Sequence, residues 1–206
     1  MASLTDCGFI SLFKSEVETI KINDIVVNWV DKLRYLGVYI KSGRTFKLDL
    51  HENRANFFRA ANCLIAKVGT KNVAVVMSLI VSKCLPLLMY GLTAVHLLKS
   101  EKSKLDNCMD LVMAKIFGSY NKVILRQCLF YTGYLPVSLF IDLSAMKFLK
   151  NAINLFNTNS QLFYFLNCIR NDDLTILLNS YHFAVNDSAR FRRQKMWNIF
   201  ELSLPH

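Results

Sequence analysis

The chain has 206 residues, a hydrophobic fraction of 53%, and 25 Lys and Arg against 15 Asp and Glu. That length holds one ordinary domain or a small domain with an extension, and the apolar content excludes disorder and points to surface that a partner covers. The positive balance favours polyanionic partners, nucleic acid before anionic membrane.

The charge is uneven: residues 61–150 carry 11 basic and 4 acidic side chains, against 9 and 7 in residues 1–60 and 5 and 4 in residues 151–206. The cysteines Cys7, Cys63, Cys84, Cys108, Cys128 and Cys168 are too scattered for zinc-ligand pairs and read as buried free thiols. Met1 to Phe13 lacks a basic start and carries Asp6, so the expected compartment is intracellular, nuclear or cytoplasmic.

Along the chain, Val17, Ile20 and Ile22, the turn pair Asn23-Asp24, and Ile25, Val26 and Val27 predict a β-hairpin. A third extended segment is expected from Leu33 to Ile40, ending at the turn Lys41-Ser42-Gly43-Arg44. From Leu50 to Val68, Leu50, Phe57, Phe58, Ala61, Leu64, Ile65 and Val68 share one helical stripe that Gly69 terminates. Arg59 and Lys67 fall on the opposite face, and Arg54 falls on the apolar side, either snorkelling to water or aimed into a groove.

Val73 to Leu98 is apolar except for Lys83 and a few hydroxyl or imidazole groups, long enough to span a bilayer. Pro86 and Gly91 divide it, and two buried helices, from Val73 to Cys84 and from Pro86 to Leu98, are the preferred reading. Ser100 is the expected N-cap of a helix that carries Leu105, Cys108, Met109, Val112 and Ile116 and ends at Gly118. Further helices are expected from Asn121 to Tyr131 and from Pro136 to Phe156, the latter closed by Asn157-Thr158-Asn159-Ser160. One or two short helices follow between Gln161 and Tyr181, and Arg190 to Leu202 forms an amphipathic end helix. The fold class is therefore α+β, a short N-terminal antiparallel hairpin region before a mainly helical body.

Catalytic constellations are lacking. A polymerase positions its metal ions with an aspartate pair flanked by strand-forming residues, whereas the adjacent pair here, Asp172-Asp173, precedes helical Leu174-Thr175-Ile176-Leu177 and reads as a cap. His51, His96, His182 and His206 lie apart, and the glycines mark element ends instead of forming a phosphate loop. No metal site and no cofactor is expected.

Three blocks carry a resemblance: the run from Val27 to Ile40, which contains Tyr35-Leu36-Gly37; the run from Cys84 to Leu92, which contains Pro86 and Tyr90-Gly91; and Leu135-Pro136-Val137-Ser138. In order and spacing this set resembles the region after the catalytic palm in non-LTR (LINE-type) retrotransposon reverse transcriptases. The resemblance implies a primer-grip hairpin at Tyr35, Leu36 and Gly37, a palm end up to residue 46, a thumb-like helical region over residues 47–120, and a helical extension over residues 121–206. Glycine permits close approach of another backbone, and a neighbouring aromatic can pack on a sugar or base; a core tyrosine on an ordinary strand is the competing reading.

The resemblance implies an RNA-directed DNA polymerase remnant, inactive alone because its aspartates are absent. Residues 1–15 read as the palm's tail or as unrelated sequence from a shifted start. The expected partners are nucleic acid, RNA or DNA, and the missing palm or another protein chain, with the membrane disfavoured. Phosphate contacts are expected from Lys41, Arg44, Arg59, Lys67, Lys71, Lys99, Lys102 and Lys104. The alternatives are a helical protein-interaction module and a membrane-associated helical protein.

Overall fold

A computed structural model of the chain describes residues 20–22, 25–27, 30–43, 47–95, 97–156, 174–184 and 186–204. The architecture is α+β, and contacts divide the chain into Met1–Ala55 and Asn56–His206.

In the first unit, β1 (Ile20–Ile22) pairs antiparallel with β2 (Ile25–Val27), Ile22 opposite Ile25, so two residues connect them. A second antiparallel sheet has the order β3 (Lys32–Tyr35), β4 (Val38–Lys41) and β5 (Lys47–Leu48). The segment expected to run straight from Leu33 to Ile40 thus folds back on itself. Leu36 and Gly37 both take positive φ, 46° and 83°, as the two central residues of a type I′ turn do. That turn matches the strands' right-handed twist, which is why a sequence rich in strand formers reverses there.

The register sets Lys32 opposite Lys41, a destabilising like-charge pair by itself. Asp49, just after β5, resolves it by meeting Lys32 Nζ at 2.7 Å and Lys41 Nζ at 3.4 Å. Burial alone would push the Asp49 carboxyl up, but the hydrogen bond from Lys32, that from His51 N–H, the charge of Lys32 and the hydrogen bond from Lys41 together hold its pKa down to about 2.

Helix α1 (His51–Val68) ends at Gly69, whose φ of 72° lies in the left-handed region favoured after a helix C-terminus. Phe57 and Ala61 of its predicted stripe are buried, Val68 is exposed, and Arg54 reaches solvent as the snorkelling reading has it. Helix α2 (Val73–Leu79) starts where Asn72 Oδ1 accepts Val75 N–H at 3.2 Å.

The second apolar helix is shorter than expected. The chain widens to a π-helical turn over Ile80–Cys84, in which Leu85 N–H reaches Ile80 O, and continues as α3 (Leu85–Met89). Pro86 is the cause, since it has no N–H and its ring would crowd the carbonyl four residues back, and the wider turn makes room. Gly91 then turns left-handed at φ 75° into a 3-10 turn, Leu92–Ala94. No helix among the described residues is long and apolar enough to cross a membrane.

Helix α4 (Lys99–Phe117) is capped two residues earlier than predicted: Leu98 holds the N-cap position, Glu101 Oε2 accepts Leu98 N–H at 2.9 Å, and Ser100 lies within the helix. Gly118 ends it as expected. Asn121 caps α5 (Lys122–Tyr131), and α6 (Val137–Phe156) follows Pro136. Helix α7 covers residues 174–180, and Ser188 caps α8 (Ala189–Leu202). The expected elements at Val17, Asn157-Ser160 and Gln161-Asp173 lie outside the described residues.

Helix α4 packs against α5 and α6, and α6 against the 3-10 turn and α8. Fully buried Leu105, Met109 and Met113 of α4, Leu129 of α5, Ile141 and Met146 of α6, and Met196 of α8 form much of the core. Trp197 and Phe200 of α8 meet Phe130 of α5, Trp197 stacked on it at 5.0 Å and Phe200 edge-on at 5.9 Å. Cys84 and Cys108 are buried as predicted, but Cys63 is exposed on the outer face of α1, where it borders Asn62 and Lys67.

Candidate functional site

The predicted grip residues stand at the tip of the β3–β4 hairpin. Tyr35 is 58% and Leu36 74% exposed, which sets aside the reading of Tyr35 as a core side chain. Leu36 occupies a left-handed conformation that costs a β-carbon residue roughly 1 kcal/mol, and it is exposed rather than buried there.

The predicted phosphate-binding residues divide by their surroundings. Arg44 lies outside the described residues. Lys41 shares Asp49 with Lys32, and Lys102 is held by Asp142 at 2.5 Å, so both are locally compensated. Arg59, Lys67, Lys71, Lys99 and Lys104 are exposed.

Two cations that sequence reasoning missed share a feature with Arg59. Arg59 Nη1 donates to Asn56 Oδ1 at 3.2 Å, Lys115 Nζ to Asn62 Oδ1 at 2.7 Å, and Lys122 Nζ to Asn107 Oδ1 at 3.1 Å. A neutral amide oxygen orients each cation without cancelling its charge. Asn107 and Lys115 lie eight residues apart on one face of α4, roughly 12 Å along the axis at 1.5 Å per residue. Residues 56–206 hold 17 Lys and Arg against 8 Asp and Glu, and three of those acids, Asp106, Asp110 and Asp142, lie together on α4 and α6. The composition hinted at a basic surface, but the Asn partners of Lys115 and Lys122 come from other helices and leave no sequence signature.

Those three acids form the second feature. Asp142, side chain 5% exposed, receives Lys102 Nζ on Oδ1 and the Tyr181 hydroxyl on Oδ2 at 2.6 Å. Burial pushes the Tyr181 hydroxyl well above the usual tyrosine range, and the hydrogen bond to Asp142 and that carboxylate's charge add to it, so Tyr181 is a fixed donor. Asp106 Oδ1 accepts Ser138 N–H at 2.9 Å, satisfying a first-turn donor of α6, while its Oδ2 lies 3.6 Å from Arg126. Asp110 Oδ2, buried and without a hydrogen bond, is 3.9 Å from the same guanidinium. Burial raises its carboxyl pKa, Arg126 opposes this, and Asp106 adds to it.

Asp106, Asp142, Lys99, Lys102 and Tyr181 line a cavity of about 710 Å³ between the start of α4, the N-terminal half of α6 and the helix α7. Among the described residues no group of three His, Cys, Asp or Glu is gathered as a metal site. Asp142, set beside Ile141 in an otherwise apolar helical run, was the visible signal for this cluster; Tyr181 carried none.

No protein-family model, curated protein sequence or solved structure matches the chain.

Proposed function

We propose that the chain is a reverse-transcriptase remnant of a non-LTR retrotransposon, inert as a polymerase on its own, that binds RNA or DNA through backbone charge inside the cell. One observation carries the reading: Tyr35-Leu36-Gly37, the triplet at the centre of the resemblance, forms a solvent-exposed type I′ tip with Leu36 in a left-handed conformation. A local rule broken at an exposed site is what a contact surface explains and a folding role does not. The Asn-oriented cations Arg59, Lys115 and Lys122 supply sequence-independent attraction for phosphates. Inertness follows from the sequence, which has no strand-flanked aspartate pair.

The test is fluorescence anisotropy of a labelled RNA–DNA hybrid with a single-stranded overhang, titrated with the purified chain at several salt concentrations. Binding that weakens as salt rises, and that drops in Tyr35→Ala, supports the reading. A folded chain that does not bind at low salt, or binds independently of salt, refutes it. A helical protein-interaction module is the second reading, favoured by the exposed apolar side chains Val75, Leu87 and Tyr90 along α2 and α3.

A further inference from the structure

The cavity beside Asp142 has an asymmetry that the nucleic-acid reading leaves unused. Its two carboxylates are occupied: Asp106 by Ser138 N–H and Arg126, Asp142 by Lys102 and the Tyr181 hydroxyl. Both are charge-paired, as is Lys102 through Asp142. Lys99, Lys102 and Ser103 all line the cavity and, spaced i, i+3 and i+4, share one face of the first turn of α4. Lys99 has no acidic partner among the described residues, and Lys102 spends one of its three N–H donors on Asp142. Ser138 adds a hydroxyl from the α6 side, and Ile141, Leu149, Ile176 and Leu177 provide an apolar wall. Sites of about 300–1,000 Å³, mostly apolar with a few convergent polar groups, are typical of small-molecule binding.

We infer that this cavity binds a small amphipathic anion, with its carboxylate or phosphate head at Lys99, Lys102 and Ser103 and its apolar body against Ile141, Leu149, Ile176 and Leu177. This site does not depend on nucleic-acid binding, and the two stand or fall separately. The anion enters without displacing the Lys102–Asp142 pair, because a lysine ammonium can donate to both.

Isothermal titration calorimetry of the full chain, free of nucleic acid, tests it with decanoate, decyl phosphate, neutral decanol and cationic decyltrimethylammonium, each below its micellar concentration. Either anion is expected to bind at least about fivefold tighter than decanol, the cation not at all, and Lys99→Met to bring the anion to the level of decanol. Ile176→Trp and Ser103→Trp, both at exposed positions, fill the cavity from opposite sides and are expected to abolish binding. Equal binding of all four probes, no binding of either anion, or anion affinity unchanged in both tryptophan variants overturns the assignment.

Discussion

Replacing Lys102 with Met tests the polar cluster at its most vulnerable point. Asp142 would keep the Tyr181 hydroxyl and lose its only cation among the described residues, with its side chain 5% exposed. Breaking one side of a buried pair costs about 3–5 kcal/mol, and the lower end applies because Lys102 itself is 20% exposed, so Lys102→Met should cost about 3 kcal/mol. Asp142→Leu should cost less, about 2 kcal/mol, because the lysine stem can swing its ammonium to water while only the Tyr181 hydroxyl loses an acceptor. The double variant removes both charges and should cost only about 1 kcal/mol, so the pair is strongly coupled. Urea unfolding at neutral pH, followed by far-ultraviolet circular dichroism, measures all three. A Lys102→Met cost under about 1 kcal/mol, or a double variant equal to the sum of the singles, would refute the reasoning.

Asp110→Asn should raise stability at neutral pH by about 1 kcal/mol, because the native carboxylate is buried with one oxygen unbonded. Its raised pKa means the favourable protonated form is fully present at low pH and lost as pH rises, so the gain should shrink on acidification; thermal unfolding at several pH values checks this. Leu36→Asn should stabilise the hairpin by roughly 1 kcal/mol, since Asn-Gly suits a type I′ turn, while weakening hybrid binding if the tip is a contact; hydrogen exchange of the β3–β4 amides together with anisotropy reads both. Asp49, held at about 2, should stabilise its unit above the ordinary carboxylate range and lose that contribution as pH falls from about 4 towards 2. An NMR titration of its carboxyl carbon that gives an ordinary value would contradict the ion-pair geometry.

Most helix limits were legible because the signals are local. Gly69 and Gly118 end helices, and Asn121 begins one. Pro86 was legible as an interruption but not as a π turn, since its effect depends on how the preceding carbonyls are spaced. Ser100 misled because a serine at the second position of a polar start resembles a cap, whereas Glu101 reaching back to Leu98 fixes the helix start instead. The hairpin within Leu33 to Ile40 was implied by the resemblance but not by the residues' own pattern, which is mostly β-branched, aromatic or aliphatic; only Gly37 marked the reversal, and Leu36 at positive φ contradicts its own propensity. The site was less legible. Lys102 reads as a surface cation until the fold brings Asp142, 40 residues away, to meet it. Lys115 and Lys122 acquire their meaning from Asn62 and Asn107, which proximity in space alone supplies.

The central claim, nucleic-acid binding through oriented and unneutralised cations, is tested most directly by the salt dependence of hybrid binding in wild type and in the double variant Lys115→Ala/Lys122→Ala. If each lysine meets one phosphate, the slope of log affinity against log salt should fall in magnitude by about 0.7–0.9 per lysine removed, with the fold unchanged. An unchanged slope in a folded variant would contradict the claim.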